Sequence, residues 1–248
     1  MKRNYLFIFE CIVVWILCYG VHLDITFMLQ NAGMNYSNAG LISYLMCFFR
    51  NTDYPYEFLK IDFLKITFTY FLYILGVFYT GYSIIRYTNR MGYMLLSRYT
   101  YLSKWYIRQM RDSAFSSAMF IFIMNIFLII SILTLKPAIF WQHDYFFKQG
   151  NDIIIIQYLA FILTVFLCFL FVNQMLIIFN FYLGEVSAIV IGILLVLLLL
   201  IIDVLIKGIN ILTFSITYNY LKSIVGLVGV NILSYFVFHA ISKRKDIT

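Results

Sequence analysis

The residues in this sequence that are most capable of specific interactions are the basic ones between residues 86 and 111. This segment reads RYTNRMGYMLLSRYTYLSKWYIRQMR and contains six basic residues and no acidic one. On a helix, Lys104, Arg108 and Arg111 are spaced i, i+4 and i+7 and share one face. Such an amphipathic segment either lies on anionic lipid headgroups or docks on a cytoplasmic protein. The residues that cluster mostly on another side are Leu102, Trp105, Tyr106 and Ile107.

Three ionisable residues lie within or at the ends of apolar runs: Glu10, Asp203 and His239. A charge in hydrocarbon costs several kcal/mol unless it is shielded, so such residues are candidates for function. Glu10 either lines a substrate path or is an interfacial carboxylate held by Lys2 or Arg3. Asp203 and His239 lie near the ends of their runs, which favours interfacial positions for both.

The sequence contains no pattern typical of a catalytic or metal site. The HExxH, GxSxG and phosphate-binding G-x-x-x-x-G-K-[ST] motifs are all missing, and the three histidines are scattered along the chain. The four cysteines form no CxxC pair. We therefore expect no catalytic residues and no metal ligands, and we do not expect an enzyme.

The composition indicates a membrane protein. Hydrophobic residues make up 63% of the chain and charged residues 12%, against roughly 45–50% and 25% in soluble domains. One globular core cannot bury that much apolar surface, so lipid must cover the remainder. The net charge of +7 comes from basic residues that flank apolar runs. That placement is typical of a topology signal and does not indicate nucleic-acid binding.

Hydropathy predicts an all-α integral membrane protein, with residues 1–248 forming a single transmembrane domain of six helices. The first run carries no cleavage-site pattern, so we expect an uncleaved span. Residues 24–65 are predicted to be an outer loop with a short amphipathic or re-entrant helix in 25–49, and a seventh span there is the alternative. The six spans are about 5–23, 66–85, 113–135, 153–179, 186–206 and 223–241.

The distribution of basic residues predicts the orientation. With the N-terminus inside, eleven of the 18 Lys and Arg residues fall in inner segments, many of them next to spans. Cytoplasmic loops carry such an excess. We therefore expect both termini in the cytoplasm, together with a short amphipathic helix between spans 2 and 3.

With six spans and this basic segment, the chain resembles the membrane subunit of type 2 ABC exporters. It is most similar in pattern to small permeases for antimicrobial or toxic peptides in Gram-positive bacteria, among which the staphylococcal exporters of amphipathic toxins are one subgroup. The resemblance implies that residues 180–185 form a second coupling element and that 207–222 contain a short extracellular helix. The residues it implies for ATPase docking are Arg98, Leu102, Lys104, Trp105, Tyr106, Arg108, Arg111 and Glu185.

The resemblance also implies partners and a location. ATP and Mg²⁺ would bind to a separate ATPase subunit, present in two copies, and this chain would bind no cofactor. A second permease copy or a homologous permease would complete the pathway for an amphipathic peptide through a bacterial cell membrane. The alternative is a stand-alone membrane immunity protein or channel without an ATPase partner. The large basic segment favours the permease, because a passive protein has no need of it.

Overall fold

A computed structural model of the chain describes residues 2–31, 40–49, 71–81, 102–136, 151–205, 211–215 and 218–245. These residues form helices and no strand, which confirms the all-α prediction for the described part of the chain. The helices are α1 (Lys2–Asn31), α2 (Leu41–Phe48), α3 (Phe71–Gly81), α4 (Leu102–Leu135), α5 (Asn151–Leu183), α6 (Glu185–Leu205) and α7 (Tyr220–Lys245).

Four of these helices are long and apolar enough to cross a membrane. Their apolar parts have mean hydropathies between 1.8 and 3.1, and between 17% and 39% of each most apolar stretch is buried inside the protein. The outward-facing remainder is suited to lipid, so the chain is a helical membrane protein. Two shorter apolar helical stretches lie in α1 and α3. The four long stretches are Lys104–Leu135, Ile155–Leu183, Glu185–Asp203 and Tyr220–Ala240.

Helices α1 and α4 extend furthest beyond the predicted spans. The predicted short helix between spans 2 and 3 is not separate in its described part, because residues 102–111 form the first turns of α4. No Gly or Pro interrupts Leu102–Leu135, so the backbone has no reason to break where the charged residues end. Similarly, α1 continues to Asn31. Residues 50–70 and 82–101, which include the rest of the basic segment, lie outside the described residues.

A short helix is present in the ambiguous segment 25–49. Helix α2 has only eight residues, and its Tyr44, Leu45 and Phe48 are buried against the rest of the bundle. His22 of α1 hydrogen-bonds Tyr44 at 2.8 Å between Nδ1 and the hydroxyl oxygen. The short helix is therefore packed onto α1 by both apolar and polar contacts.

Asn173 on α5 joins three helices inside the bundle. Its side-chain oxygen accepts a hydrogen bond from Thr80 Oγ1 of α3 at 2.9 Å, and its Nδ2 donates to Ser117 Oγ of α4 at 2.8 Å. All three residues are fully buried. Side-chain hydrogen bonds between membrane helices contribute about 0.6–2 kcal/mol each. These two bonds also set the level at which α3, α4 and α5 pack.

Gly184 is the single residue between α5 and α6. Its φ of +85° lies in the left-handed region that favours glycine. Its N–H donates to the Asn180 carbonyl at 3.2 Å, and its carbonyl accepts from the Ala188 N–H at 3.1 Å. Leu176 and Gly192 are equally far from this turn and pack against each other. The two helices therefore form a tight antiparallel hairpin.

Helix α7 runs parallel to α5. Phe161 packs on Tyr220 with ring centroids 5.8 Å apart, and farther along both helices Gln174 Nε2 donates to Asn231 Oδ1 at 2.9 Å. The side-chain Nδ2 of Asn231 donates in turn to the backbone carbonyl of Leu167 at 3.1 Å. Polar groups thus hold α7 in register on α5, although both helices are largely apolar.

The bundle therefore has two ends, which we name after one residue in each. Helix α4 is antiparallel to α5, because Ser117 and then Trp105 meet α5 residues of increasing number. The Gly184 end holds the starts of α4 and α6 and the ends of α5 and α7. The Asp203 end holds the opposite ends of the same helices.

At the Asp203 end, a non-helical segment is bound by the carboxylate of Asp203. The carboxylate accepts hydrogen bonds from the backbone N–H groups of Ile211 at 2.9 Å, Leu212 at 2.6 Å and Thr213 at 3.2 Å. The expected short helix is thus wrong for the described residues 211–215, 218 and 219. Three successive N–H groups converge on the carboxylate here, as in the anion-binding nests that non-helical backbone forms. Asp203 is buried within the protein, and its interfacial depth in the membrane stays a prediction.

Residues 211–215, which we call the plug segment, fill the space between the helices. Phe214 is fully buried, and its N–H donates to the Phe49 carbonyl at 3.2 Å. Its ring meets those of Tyr158 and Phe161, each at a centroid distance of 5.5 Å. The hydroxyl of Tyr220 accepts from the Ser215 N–H at 2.7 Å. The plug segment is therefore held by both backbone bonds and aromatic packing.

The close approach of α3 to its neighbours yields a first prediction. A Cβ at Gly76 would lie 2.6 Å from Phe169 Cζ and 2.7 Å from Phe120 Cε1, and both rings are buried. Overpacking typically costs about 1–3 kcal/mol, so Gly76→Val is expected to lower the free energy of unfolding by about 2 kcal/mol. Unfolding by SDS in mixed micelles, followed by circular dichroism, measures this change.

The matched control is Gly226→Val on α7, where a new Cβ meets no atom within 4 Å. Its expected effect is smaller than about 0.5 kcal/mol, the usual range for substitutions at open positions. Equal losses in the two variants would contradict the close packing of α3.

Candidate functional site

The start of α4 presents a basic stripe at the surface of the Gly184 end. Lys104, Arg108 and Arg111 are exposed, as their helical spacing predicts. Arg111 Nε lies 3.9 Å from the carboxylate of Asp112, and these side chains are 78% and 48% exposed. Solvent screens such an exposed pair, so it contributes little to stability. Three exposed basic side chains on one face of a helix suit an acidic surface on a partner or on lipid headgroups.

The neighbouring aromatic residues point into the bundle. Trp105 is 2% exposed and Tyr106 is 1% exposed. Tyr106 stacks on Phe238 of α7 with a centroid distance of 3.8 Å and an interplanar angle of 16°. These two aromatic residues are therefore covered by the chain's own helices. Ile107, which the sequence groups with them, is instead 51% exposed beside the basic stripe.

The two segments expected to act in coupling lie at the same end of the bundle. The ring of Trp105, at the start of α4, lies 6.4 Å from that of Phe181, just before the α5–α6 turn. Glu185, in the first turn of α6, is exposed. A partner bound at this end would therefore find the basic stripe and the tight turn close together.

Several predicted residues fall outside this description. Arg98 lies outside the described residues. Leu102 begins α4 and Glu10 lies on α1, but their side chains are not among those described. The roles predicted for these three residues stay predictions. Within the described ranges, no three His, Cys, Asp or Glu side chains are grouped so that they could hold a metal ion.

The same end contains buried polar atoms for which the described residues provide no hydrogen-bond partner. There are six such atoms on α4 and α5, and each residue that carries one is at least nine-tenths buried. Leaving a buried polar group without a partner typically costs about 1–3 kcal/mol. The atoms are Trp105 Nε1, the Tyr106 hydroxyl, Gln109 Nε2, Ser113 Oγ, Gln174 Oε1 and Asn180 Oδ1.

Reasoning from the sequence missed this group of polar residues, although a signal for it exists. Trp105, Gln109, Ser113 and Ser117 follow one another at intervals of four residues and are all buried. Such a polar row on one face of a membrane helix indicates a face that packs on protein rather than on lipid. The predicted docking charges lie on another, exposed face of the same helix.

Comparison with known proteins identifies no family for the chain. No protein-family model, no curated protein and no solved structure matches the chain significantly.

Proposed function

We propose that the chain is the membrane permease subunit of an ATP-driven ABC exporter that moves amphipathic peptides, such as antimicrobial peptides or toxins, out of the membrane or the cell. One observation carries the proposal. The exposed stripe of Lys104, Arg108 and Arg111 lies at the same end of the bundle as the tight turn at Gly184. Two cytoplasmic coupling elements must be neighbours if one ATPase is to contact both.

The alternating directions of the helices support the six-span topology within this proposal. Helices α3, α5 and α7 run one way, whereas α4 and α6 run the other. In this proposal the Gly184 end is cytoplasmic, which the basic stripe supports, since basic residues collect on that side. Both termini would then be cytoplasmic, and the plug segment would lie outside a bacterial cell membrane.

The proposal also assigns partners. The chain lacks a phosphate-binding loop, so ATP and Mg²⁺ would bind to a separate ATPase, in two copies, beneath two permease chains. The peptide specificity is supported by the mixture of aromatic rings and neutral polar groups at the Gly184 end. An amphipathic peptide presents both kinds of surface, whereas a small inorganic ion presents neither.

The test is charge reversal at the stripe. Lys104→Glu, Arg108→Glu and Arg111→Glu together are expected to reduce co-purification of the ATPase at least about tenfold, because like charges would then face its acidic surface. The measurement is affinity purification of the full chain from native membranes in a mild detergent. Mass spectrometry then identifies the bound subunits, and an ATP-hydrolysis assay shows whether they are ATPases.

Lys222→Glu provides the control, since Lys222 is exposed at the start of α7 at the Asp203 end. It changes one charge at the opposite end of the bundle and is expected to leave ATPase association intact. If no ATP-hydrolysing subunit accompanies even the wild-type chain, the exporter proposal fails. The stand-alone immunity protein or channel then becomes the better explanation.

A further inference from the structure

The six buried polar atoms that α4 and α5 place at the Gly184 end offer a balanced set of donors and acceptors. Trp105 Nε1 and Gln109 Nε2 can donate, while Gln174 Oε1 and Asn180 Oδ1 can accept. The Tyr106 hydroxyl and Ser113 Oγ can do either. We call these six residues the polar cluster. Apolar residues would fill the same positions without the cost of unpartnered groups, so stability alone does not explain the cluster.

The cluster is neutral, which limits the chemistry of its ligand. None of its six side chains carries a charge, and the basic residues of α4 lie on the exposed face of that helix. A phosphate or carboxylate would therefore find no cation among these six side chains. A peptide amide offers one acceptor and one donor a few ångströms apart, which matches a cluster that has both kinds of group.

The surroundings of the cluster suit the apolar side chains of a peptide. The rings of Phe181, Tyr235 and Phe238 pack against Trp105 and Tyr106. Aromatic rings cover apolar surface well and leave polar edges available for hydrogen bonds. The same end of the bundle thus combines hydrogen-bonding groups with an apolar wall.

We propose that the polar cluster binds backbone amide groups of a peptide, with Trp105 and Gln109 donating to its carbonyl oxygens and Asn180 and Gln174 accepting from its N–H groups. That this peptide is the transported substrate rests on the proposed function, whereas the binding itself does not. Binding would supply the partners that these buried atoms lack among the described residues. The cluster would therefore be an entry site at the end of the bundle that meets the ATPase.

Trp105 provides the signal for a test on the full chain in detergent. The chain has three tryptophans, so Trp15→Phe with Trp141→Phe leaves Trp105 as the only one. The probe is a synthetic amphipathic peptide of Leu, Lys and Ala, blocked at both ends. We expect a saturable change in Trp105 emission as the peptide is added. Gln109→Leu with Asn180→Leu is expected to weaken that binding at least about tenfold, while Tm rises.

Asn125→Leu is the matched control on the same helix. Asn125 already hydrogen-bonds Tyr158 and the Ile121 carbonyl, toward the Asp203 end. This variant is expected to lower Tm and to keep peptide binding, the opposite of the cluster variant. Detergent partitioning of the probe is the same in all variants, so it cannot produce this contrast.

An emission change that does not saturate, or that is equal in the cluster variant, overturns the proposal. A fall in the Tm of the cluster variant also overturns it, because its polar groups would then have partners within the chain. The two proposals fail separately. If the chain binds the peptide but no ATPase, the binding site stands and the exporter proposal fails. If it binds an ATPase but not the peptide, the exporter proposal stands and the binding site fails.

Discussion

Asp203→Leu is expected to lower the free energy of unfolding by about 3–5 kcal/mol. The carboxylate accepts N–H groups from Ile211, Leu212 and Thr213, and the last two residues are buried. Removing it leaves these groups without an acceptor, and each unpartnered buried group costs about 1–3 kcal/mol. The plug segment would also lose its attachment to α6. The hydroxyl of Tyr73 on α3 would still donate to the Leu212 carbonyl at 2.7 Å.

SDS unfolding in mixed micelles measures this loss, and cysteine labelling locates it. Ser215→Cys is buried in the wild-type background and should react with a water-soluble maleimide only when Asp203 is replaced. Asp203→Asn, which keeps one acceptor oxygen, should fall between Leu and wild type. Lys222→Gln removes an exposed charge at the same end of the bundle and should change the stability by less than about 0.5 kcal/mol. Wild-type stability in Asp203→Leu would refute the role of the carboxylate.

Trp105→Ala combined with Tyr106→Ala is expected to reduce stability by about 5 kcal/mol or more. Truncating a buried aromatic residue typically costs about 3–5 kcal/mol, and neighbouring losses do not simply add. Both rings fill the space between α4, α5 and α7 at the Gly184 end. The double variant should therefore lose its native packing before any partner is considered.

The control for the effect of burial is an exposed aromatic residue on the same helix. Phe115 is 63% exposed, so Phe115→Ala should cost less than about 1 kcal/mol. ATPase association is measured in parallel with unfolding. If the double variant kept wild-type stability but lost the ATPase, these two residues would dock the ATPase directly, as the resemblance implies.

Much of the helical architecture can be predicted from hydropathy. Long apolar runs must satisfy their backbone groups internally in lipid, and only helices do so within one segment. The basic stripe was also predictable, because Lys104, Arg108 and Arg111 follow a helical period. Hydropathy also placed a break at residues 180–185, although the structure reduces it to Gly184 alone.

The partner of each helical face could not be predicted in the same way. The period that places Trp105 and Tyr106 opposite the basic stripe is the same whether they face lipid, another protein or α5 and α7. The start of α4 was missed for a related reason. Charge marks where a helix leaves hydrocarbon, but it does not mark where the backbone stops being helical.

The plug segment and the polar cluster depend on contacts between residues far apart in the chain. Asp203 looks interfacial in sequence because it ends an apolar run, yet it captures three N–H groups several residues later. Asn173 likewise has no local partner, and its bonds to Thr80 and Ser117 arise only when α3, α4 and α5 assemble. A periodic pattern contains no information about such pairings.

The turn at Gly184 has a consequence for how the protein is made. With one residue between a 33-residue and a 21-residue helix, the two helices are placed to enter the bilayer together. Helix α5 carries Asn173, Gln174 and Asn180, whereas α6 is apolar almost throughout. Joint insertion as a helical hairpin lets the strongly apolar partner offset the transfer cost of these amides. Helix α5 would then enter the membrane with its polar groups before α7 is inserted and can contact them.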